Sequence, residues 1–139
     1  MRNIIRYSLD EINLLVDKIT ELTKDYNLFL FEGDLGSGKT TLIKNILKKI
    51  GITENVKSPT FSIINKYVEK NIIVFHIDLY RIENEKELNS IGIFEYLESD
   101  KLCFIEWPQV LTKYINEKAI RIKINILDEF NREVEITNN

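Results

Sequence analysis

The sequence predicts an α/β fold of three layers with a mixed, largely parallel central sheet, and three observations carry that prediction. The apolar run Leu28-Phe29-Leu30-Phe31 reads as a buried strand; it is followed by a glycine turn, Gly33 to Thr41, and then by Leu42, Ile43, Ile46, Leu47 and Ile50 at the spacing of one helix face. Two later apolar runs, Ile72 to Ile77 and Leu102 to Ile105, each end in a carboxylate, Asp78 and Glu106. Between and before them lie amphipathic helical stretches, the alternation that builds a sheet covered on both faces.

The glycine turn has the spacing G-x-x-x-x-G-K-T of the phosphate-binding P-loop, Gly33-Asp34-Leu35-Gly36-Ser37-Gly38-Lys39-Thr40, with Thr41 following. Gly33, Gly36 and Gly38 let the backbone approach a phosphate closely, so that freed N–H groups converge on the anion. The helix beginning here adds its unsatisfied amides and the positive end of its dipole. Lys39 can reach the β and γ phosphates, and the Thr40 hydroxyl can ligate Mg²⁺. A chance glycine loop would not match all eight positions and both flanks.

At 139 residues the chain suits one domain over 1–139, large enough to bury a core. With 44% hydrophobic and 29% charged residues it reads as globular, not fibrous or disordered. No stretch approaches ~18 apolar residues and Met1-Arg2-Asn3 leads into mixed sequence, so a cytoplasmic protein without membrane contact is expected. The single cysteine, Cys103, has no partner in the chain and suits a reducing compartment. A net charge of -3 lacks the basic excess of a stand-alone nucleic-acid binder, so any RNA is expected to be held through a partner.

In chain order, Ser8-Leu9-Asp10-Glu11 looks like a capping box before a helix whose Ile12, Leu15, Val16, Ile19 and Leu22 share one face. Gly51 is a stop for the P-loop helix, and Thr53 to Thr60 forms a polar loop containing Pro59. Phe61 to Val68 alternates as a strand, and Glu69-Lys70-Asn71 turns it into Ile72 to Asp78. Glu83 to Leu97 is helical in character with Gly92 as a break, and Pro108 stops the strand from Leu102. Ala119 to Ile126 and Arg132 to Ile136 form a closing hairpin around Asp128 to Asn131.

A P-loop enzyme needs a carboxylate at a neighbouring strand end to hold Mg²⁺, directly or through water, and to order the attacking water. Asp78 and Glu106 are the candidates. His76 lies one strand repeat from Asp78, on the same face, and reads as structural or supporting, since a lone histidine makes no metal cluster. Cys103, inside an apolar strand, reads as an inert small hydrophobe. Trp107, beside Glu106, is either a core-edge residue or part of a partner or lid surface.

The nucleotide is expected to be ATP, because neither D-x-x-G after a strand nor N-K-x-D for guanine is present. Asn65-Lys66-Tyr67-Val68 begins like the second but ends in Val68. A small-molecule kinase would bring several arginines to a lid, and of Arg2, Arg6, Arg81, Arg121 and Arg132 only Arg81 sits amid the motifs.

Four motifs in order, GDLGSGKTT (Gly33 to Thr41), KSPTF (Lys57 to Phe61), HIDLYR (His76 to Arg81) and IEWP (Ile105 to Pro108), resemble those of the TsaE (YjeE) family. Ser37 stands where many members have Ala, a swap that leaves the backbone nest intact. The resemblance implies a bacterial ATPase that binds the TsaD and TsaB proteins and hydrolyses ATP to sustain threonylcarbamoylation of adenosine 37 in tRNAs reading ANN codons. It implies ATP on the P-loop, Mg²⁺ held by Thr40 and Glu106, Asp78 serving the water or the metal, and Ser58-Pro59-Thr60 as a switch-like loop; Lys39, Asp78 and Glu106 are the expected catalytic groups. Tyr80, Arg81 and Trp107 are expected on the partner or switch side. The alternatives are a nucleotide-gated binding module without essential turnover and a small-molecule kinase.

Overall fold

Strand alternation and helix-face spacing set the elements, and a computed structural model describing residues 1–139 places them. In order they are β1 (Arg2–Ser8), α1 (Ile12–Leu22), β2 (Leu28–Glu32), α2 (Lys39–Ile50), β3 (Ile64–Glu69), β4 (Ile72–Asp78), α3 (Glu85–Ser90), α4 (Ile93–Glu98), β5 (Leu102–Glu106), β6 (Ala119–Ile126) and β7 (Asn131–Asn138). Single sections of 3₁₀ helix at Leu9–Glu11 and Pro108–Tyr114 complete the chain.

All seven strands form one sheet in the order β1-β7-β6-β2-β5-β4-β3. The interior pairs β6·β2, β2·β5 and β5·β4 are parallel, and the outer pairs β1·β7, β7·β6 and β4·β3 are antiparallel. The P-loop strand β2 therefore lies between β6 and β5, and β5 lies between β2 and β4. β2 is apolar on both faces because both are covered. Phe29 and Phe31 face α1 and α2, packing with Leu15, Ile19, Leu42 and Ile46. Leu28 and Leu30 face the other side, with Leu88, Ile93 and Leu97 of α3 and α4 and Leu111 of the 3₁₀ segment. Helices on both faces make three layers.

The helix boundaries follow the expected chemistry. The Glu11 carboxylate accepts both the Ser8 amide (3.1 Å) and the Ser8 hydroxyl (2.7 Å), fixing the turn into α1. Gly51 ends α2 at φ +113, and the Ile52 amide returns to the Leu47 carbonyl at 2.9 Å. Gly92, at φ +71, separates α3 from α4.

Two parts of the sheet differ from the sequence expectation. β1 is an additional edge strand with little apolar signal: Tyr7 alone is buried, while Arg2 and Arg6 lie outward and pair with Glu135 and Glu133 of β7. β3 begins at Ile64, three residues later than the alternation suggests. Phe61 is 84% exposed and Ile63 adopts φ +67, so the stretch turns before it pairs.

Candidate functional site

The carboxyl ends of β2, β5 and β4 and the N-terminus of α2 meet at one edge of the sheet, which is where open α/β folds hold ligands. The P-loop turn is tight. A Cβ on Gly33 would lie 2.6 Å from Ser37 Oγ and 2.9 Å from the Ile124 carbonyl, so only glycine fits. Gly38 enters α2 at φ +104, a conformation that side chains resist. Lys39 folds back over the loop, its Nζ donating to the carbonyls of Gly33 (2.5 Å) and Asp34 (3.2 Å) and lying 4.2 Å from the Trp107 ring centroid. Burial lowers its pKa, opposed by the charges of Glu106, Asp78 and Asp34.

β4 and β5 pair in a register that sets Asp78 directly beside Glu106, both buried and both on the face covered by α2. Glu106 is held at both oxygens: Oε1 accepts from the Thr40 hydroxyl at 2.8 Å, and Oε2 lies 2.7 Å from His76 Nε2. Asp78 Oδ1 accepts the Tyr80 amide at 2.9 Å. Burial raises the Asp78 pKa, the Tyr80 amide opposes that shift, and neighbouring Glu106 adds to it.

The expected switch residues divide. Thr60 joins Gly36, Lys39, Thr40, Asp78 and Glu106 around a cavity of about 260 Å³ at the mouth of the P-loop. Ser58 bonds Thr60 through their hydroxyls at 2.7 Å but faces a neighbouring cavity of about 570 Å³ with Phe61 and Lys66. That larger cavity has no P-loop residue and no carboxylate, whereas the smaller one is lined by both. The buried ring of Pro59 anchors the loop, whose end is tied to the acid strand: Ile63 donates to the Pro59 carbonyl (2.7 Å), and Asp78 donates its amide to the Ile63 carbonyl (2.8 Å). Trp107, at φ +54, packs against Tyr80 with ring centroids 4.9 Å apart. The Arg81 guanidinium lies over the Phe61 ring, 4.6 Å from its centroid.

Arg132 is a site residue that the motifs did not reveal. Buried at the start of β7, it donates Nε to the Ser37 carbonyl at 3.2 Å and Nη1 to the carbonyls of Asp128 (2.7 Å) and Asn131 (3.1 Å). The hairpin thereby braces the P-loop from outside. Its sequence signal was a lone arginine opening an alternating apolar strand, which an ion-pair reading explains equally well.

The donors that converge are hard oxygens, one hydroxyl and two carboxylates, the set that suits Mg²⁺. No three His, Cys, Asp or Glu side chains cluster as a self-sufficient metal cage. Such a set fits an ion that takes its remaining ligands from nucleotide phosphates and water.

A glycine turn opening a helix, with a lysine and a threonine beside two buried strand-end carboxylates, defines a protein of the P-loop NTPase fold. The family described as "Threonylcarbamoyl adenosine biosynthesis protein TsaE" matches residues 7–134, and the chain belongs to the TsaE family. It is similar to tRNA threonylcarbamoyladenosine biosynthesis proteins TsaE of Haemophilus influenzae (34% identical, covering 98% of this chain and 90% of that protein) and Bacillus subtilis (32%, covering 92% and 80%). A third, from a Nostoc species, is 39% identical over 80% of this chain and 70% of its own. Among solved structures, the crystal structure of Bacillus subtilis YdiB superposes with a TM-score of 0.72 at 26% identity, covering 98% of this chain and 86% of that one.

Proposed function

We propose that this protein is a Mg²⁺-dependent ATPase of the cytoplasm that supports threonylcarbamoylation of adenosine 37 in tRNA, working with TsaD and TsaB and meeting tRNA only through that complex. The pathway is supported by the family to which the chain belongs and by the TsaE relatives of Haemophilus influenzae and Bacillus subtilis. No helix is long and apolar enough to cross a membrane. The observation that carries the ATPase reading is the cavity in which Lys39 and Thr40 face Asp78 and Glu106.

In this reading the amides from Gly33 to Thr41 cradle the phosphates, and Lys39 exchanges its loop carbonyls for the β and γ phosphates. The Thr40 hydroxyl donates to Glu106, leaving its own lone pairs free, and Thr40 and the Glu106 that orients it would together hold the cation. Bound Mg²⁺ would neutralise charge on the phosphate oxygens. Asp78 orients the attacking water; a bond forms from that oxygen to the γ phosphorus as the bond to the bridging oxygen breaks, the water's proton passes to an oxygen of the departing phosphate, and ADP and phosphate leave. Lys39→Ala should cost at least ~2 kcal/mol of transition-state stabilisation while folding survives. Unchanged hydrolysis by a normally folded variant would remove the loop from the mechanism.

A second reading, a nucleotide-gated binding module, draws on the Ser58-to-Ile63 loop, which ends in the strained Ile63 and is bonded to Asp78. If occupancy alone matters, a non-hydrolysable ATP analogue will sustain the partner complex through repeated turnovers. If hydrolysis matters, it will support one at most.

A further inference from the structure

His76 is fully buried in a strand that is otherwise apolar up to Asp78, and the ring has a single polar contact. Nε2 lies 2.7 Å from Glu106 Oε2, whereas Nδ1 is buried without a partner. An orphaned buried nitrogen is a cost that leucine or phenylalanine would avoid, and Val74 on the same strand face and Phe104, the β5 residue opposite, show that apolar side chains fit there. Packing therefore does not account for the imidazole; the bond to Glu106 does.

The other Glu106 oxygen accepts from Thr40 on α2 at 2.8 Å. Donors from two different elements thus grip the two oxygens, and the carboxylate cannot turn about its own axis without breaking one of the bonds. A carboxylate only accepts, so Nε2 is the protonated nitrogen. We infer that His76 is a positioning residue: it donates from Nε2 to Glu106 Oε2 and fixes the other oxygen toward Thr40 and the cation. The inference rests on the reading above that Glu106 serves Mg²⁺. Partners that orient a metal-directed carboxylate commonly change metal affinity 10- to 100-fold when removed, roughly the size expected here.

The test is calorimetric binding of ADP to the purified protein across a Mg²⁺ titration, with EDTA as the metal-free limit. His76→Phe keeps a planar ring and removes the donor. It should raise the Mg²⁺ concentration for half-maximal binding by about tenfold or more and leave affinity in EDTA nearly unchanged. His76→Gln, whose side-chain amide can occupy the place of Nε2, should restore most of the Mg²⁺ response. His76→Asn, polar but too short to reach Glu106, carries the same expectation as phenylalanine if that variant does not fold. Equal loss in EDTA and in Mg²⁺, or no rescue by folded His76→Gln, would overturn the positioning role. Glu106→Gln separates the two ideas. If it leaves the Mg²⁺ response intact, the metal reading of Glu106 fails; if it alters the response while His76→Phe and His76→Asn do not, only the role of His76 fails.

Discussion

Burial acts in opposite directions on the two charged groups that face each other across the mouth of the P-loop, lowering the pKa of Lys39 and raising that of Asp78. Each shift means that the charged form is disfavoured in the folded chain relative to the unfolded one. For Asp78 the folded protein holds its proton more tightly, so stability falls as pH rises from the ordinary value of 3.8 through the raised one. Asp78→Asn abolishes that titration and retains an oxygen for the Tyr80 amide. The variant should melt above the parent at neutral pH, and the difference should shrink as pH falls toward the ordinary carboxylate range. Urea melts at a series of pH values check this; a variant that is less stable at neutral pH would show that the Asp78 charge holds the fold together. The same variant should bind Mg-ATP and turn over slowly, whereas Glu106→Gln should shift the Mg²⁺ requirement. Backbone strain falls beside these groups: of the three non-glycine residues at positive φ, Lys70 is in a hairpin turn, while Ile63 and Trp107 flank the acids.

At the scale of elements, the P-loop depends on a hairpin distant in sequence. Arg132 opens β7, pairs in register with Ile126 of β6 and Tyr7 of β1, and reaches the Ser37 carbonyl. Its three acceptors are carbonyls, arranged for a planar fork. Arg132→Lys should therefore cost about 1.5–3 kcal/mol of stability, the usual range for hydrogen bonds made by a charged group, and weaken nucleotide binding in EDTA as well as in Mg²⁺. Denaturant melts and metal-free calorimetry measure the two effects; full stability with full affinity would mean that the loop holds itself. The strand-turn-helix of β2 and α2 was legible because its local chemistry is unambiguous: glycines at fixed offsets between a buried run and a helical face. So were the carboxylates ending β4 and β5, but their adjacency was not, since it depends on the register that brings Asp78 beside Glu106. β1 and Arg132 were hidden for one shared reason. An edge strand with one buried side chain and an arginine whose partners are carbonyls leave no periodic or charge-paired trace.

For the whole molecule, the sheet order concentrates function at one edge. The strand ends that carry Asp78 and Glu106 also carry Tyr80 and Trp107, so any protein that docks there touches Trp107, which lines the P-loop cavity, or Tyr80 packed against it. Tyr80 is half exposed, and Trp107 has one face toward Lys39. In the proposed mechanism Lys39 turns to a phosphate and the ring loses its cation, so a partner that buried the ring would bind the two states unequally. Coupling of this kind requires such a difference in contacts. On the proposed partnership with TsaD and TsaB, Trp107→Ala should therefore weaken assembly by about 2 kcal/mol or more, the usual size for a tryptophan at the centre of an interface. Because Lys39 rests on the same ring, nucleotide affinity in isolation should also move, by a smaller amount set by one cation–π contact of about 0.5–2 kcal/mol. As the chain's single tryptophan, Trp107 also reports directly: its fluorescence should change on adding ADP and remain unchanged in Lys39→Ala. Calorimetry with ATP, with ADP and without nucleotide measures the coupling, and equal partner affinity in all three states would rule out the shared edge as a sensor.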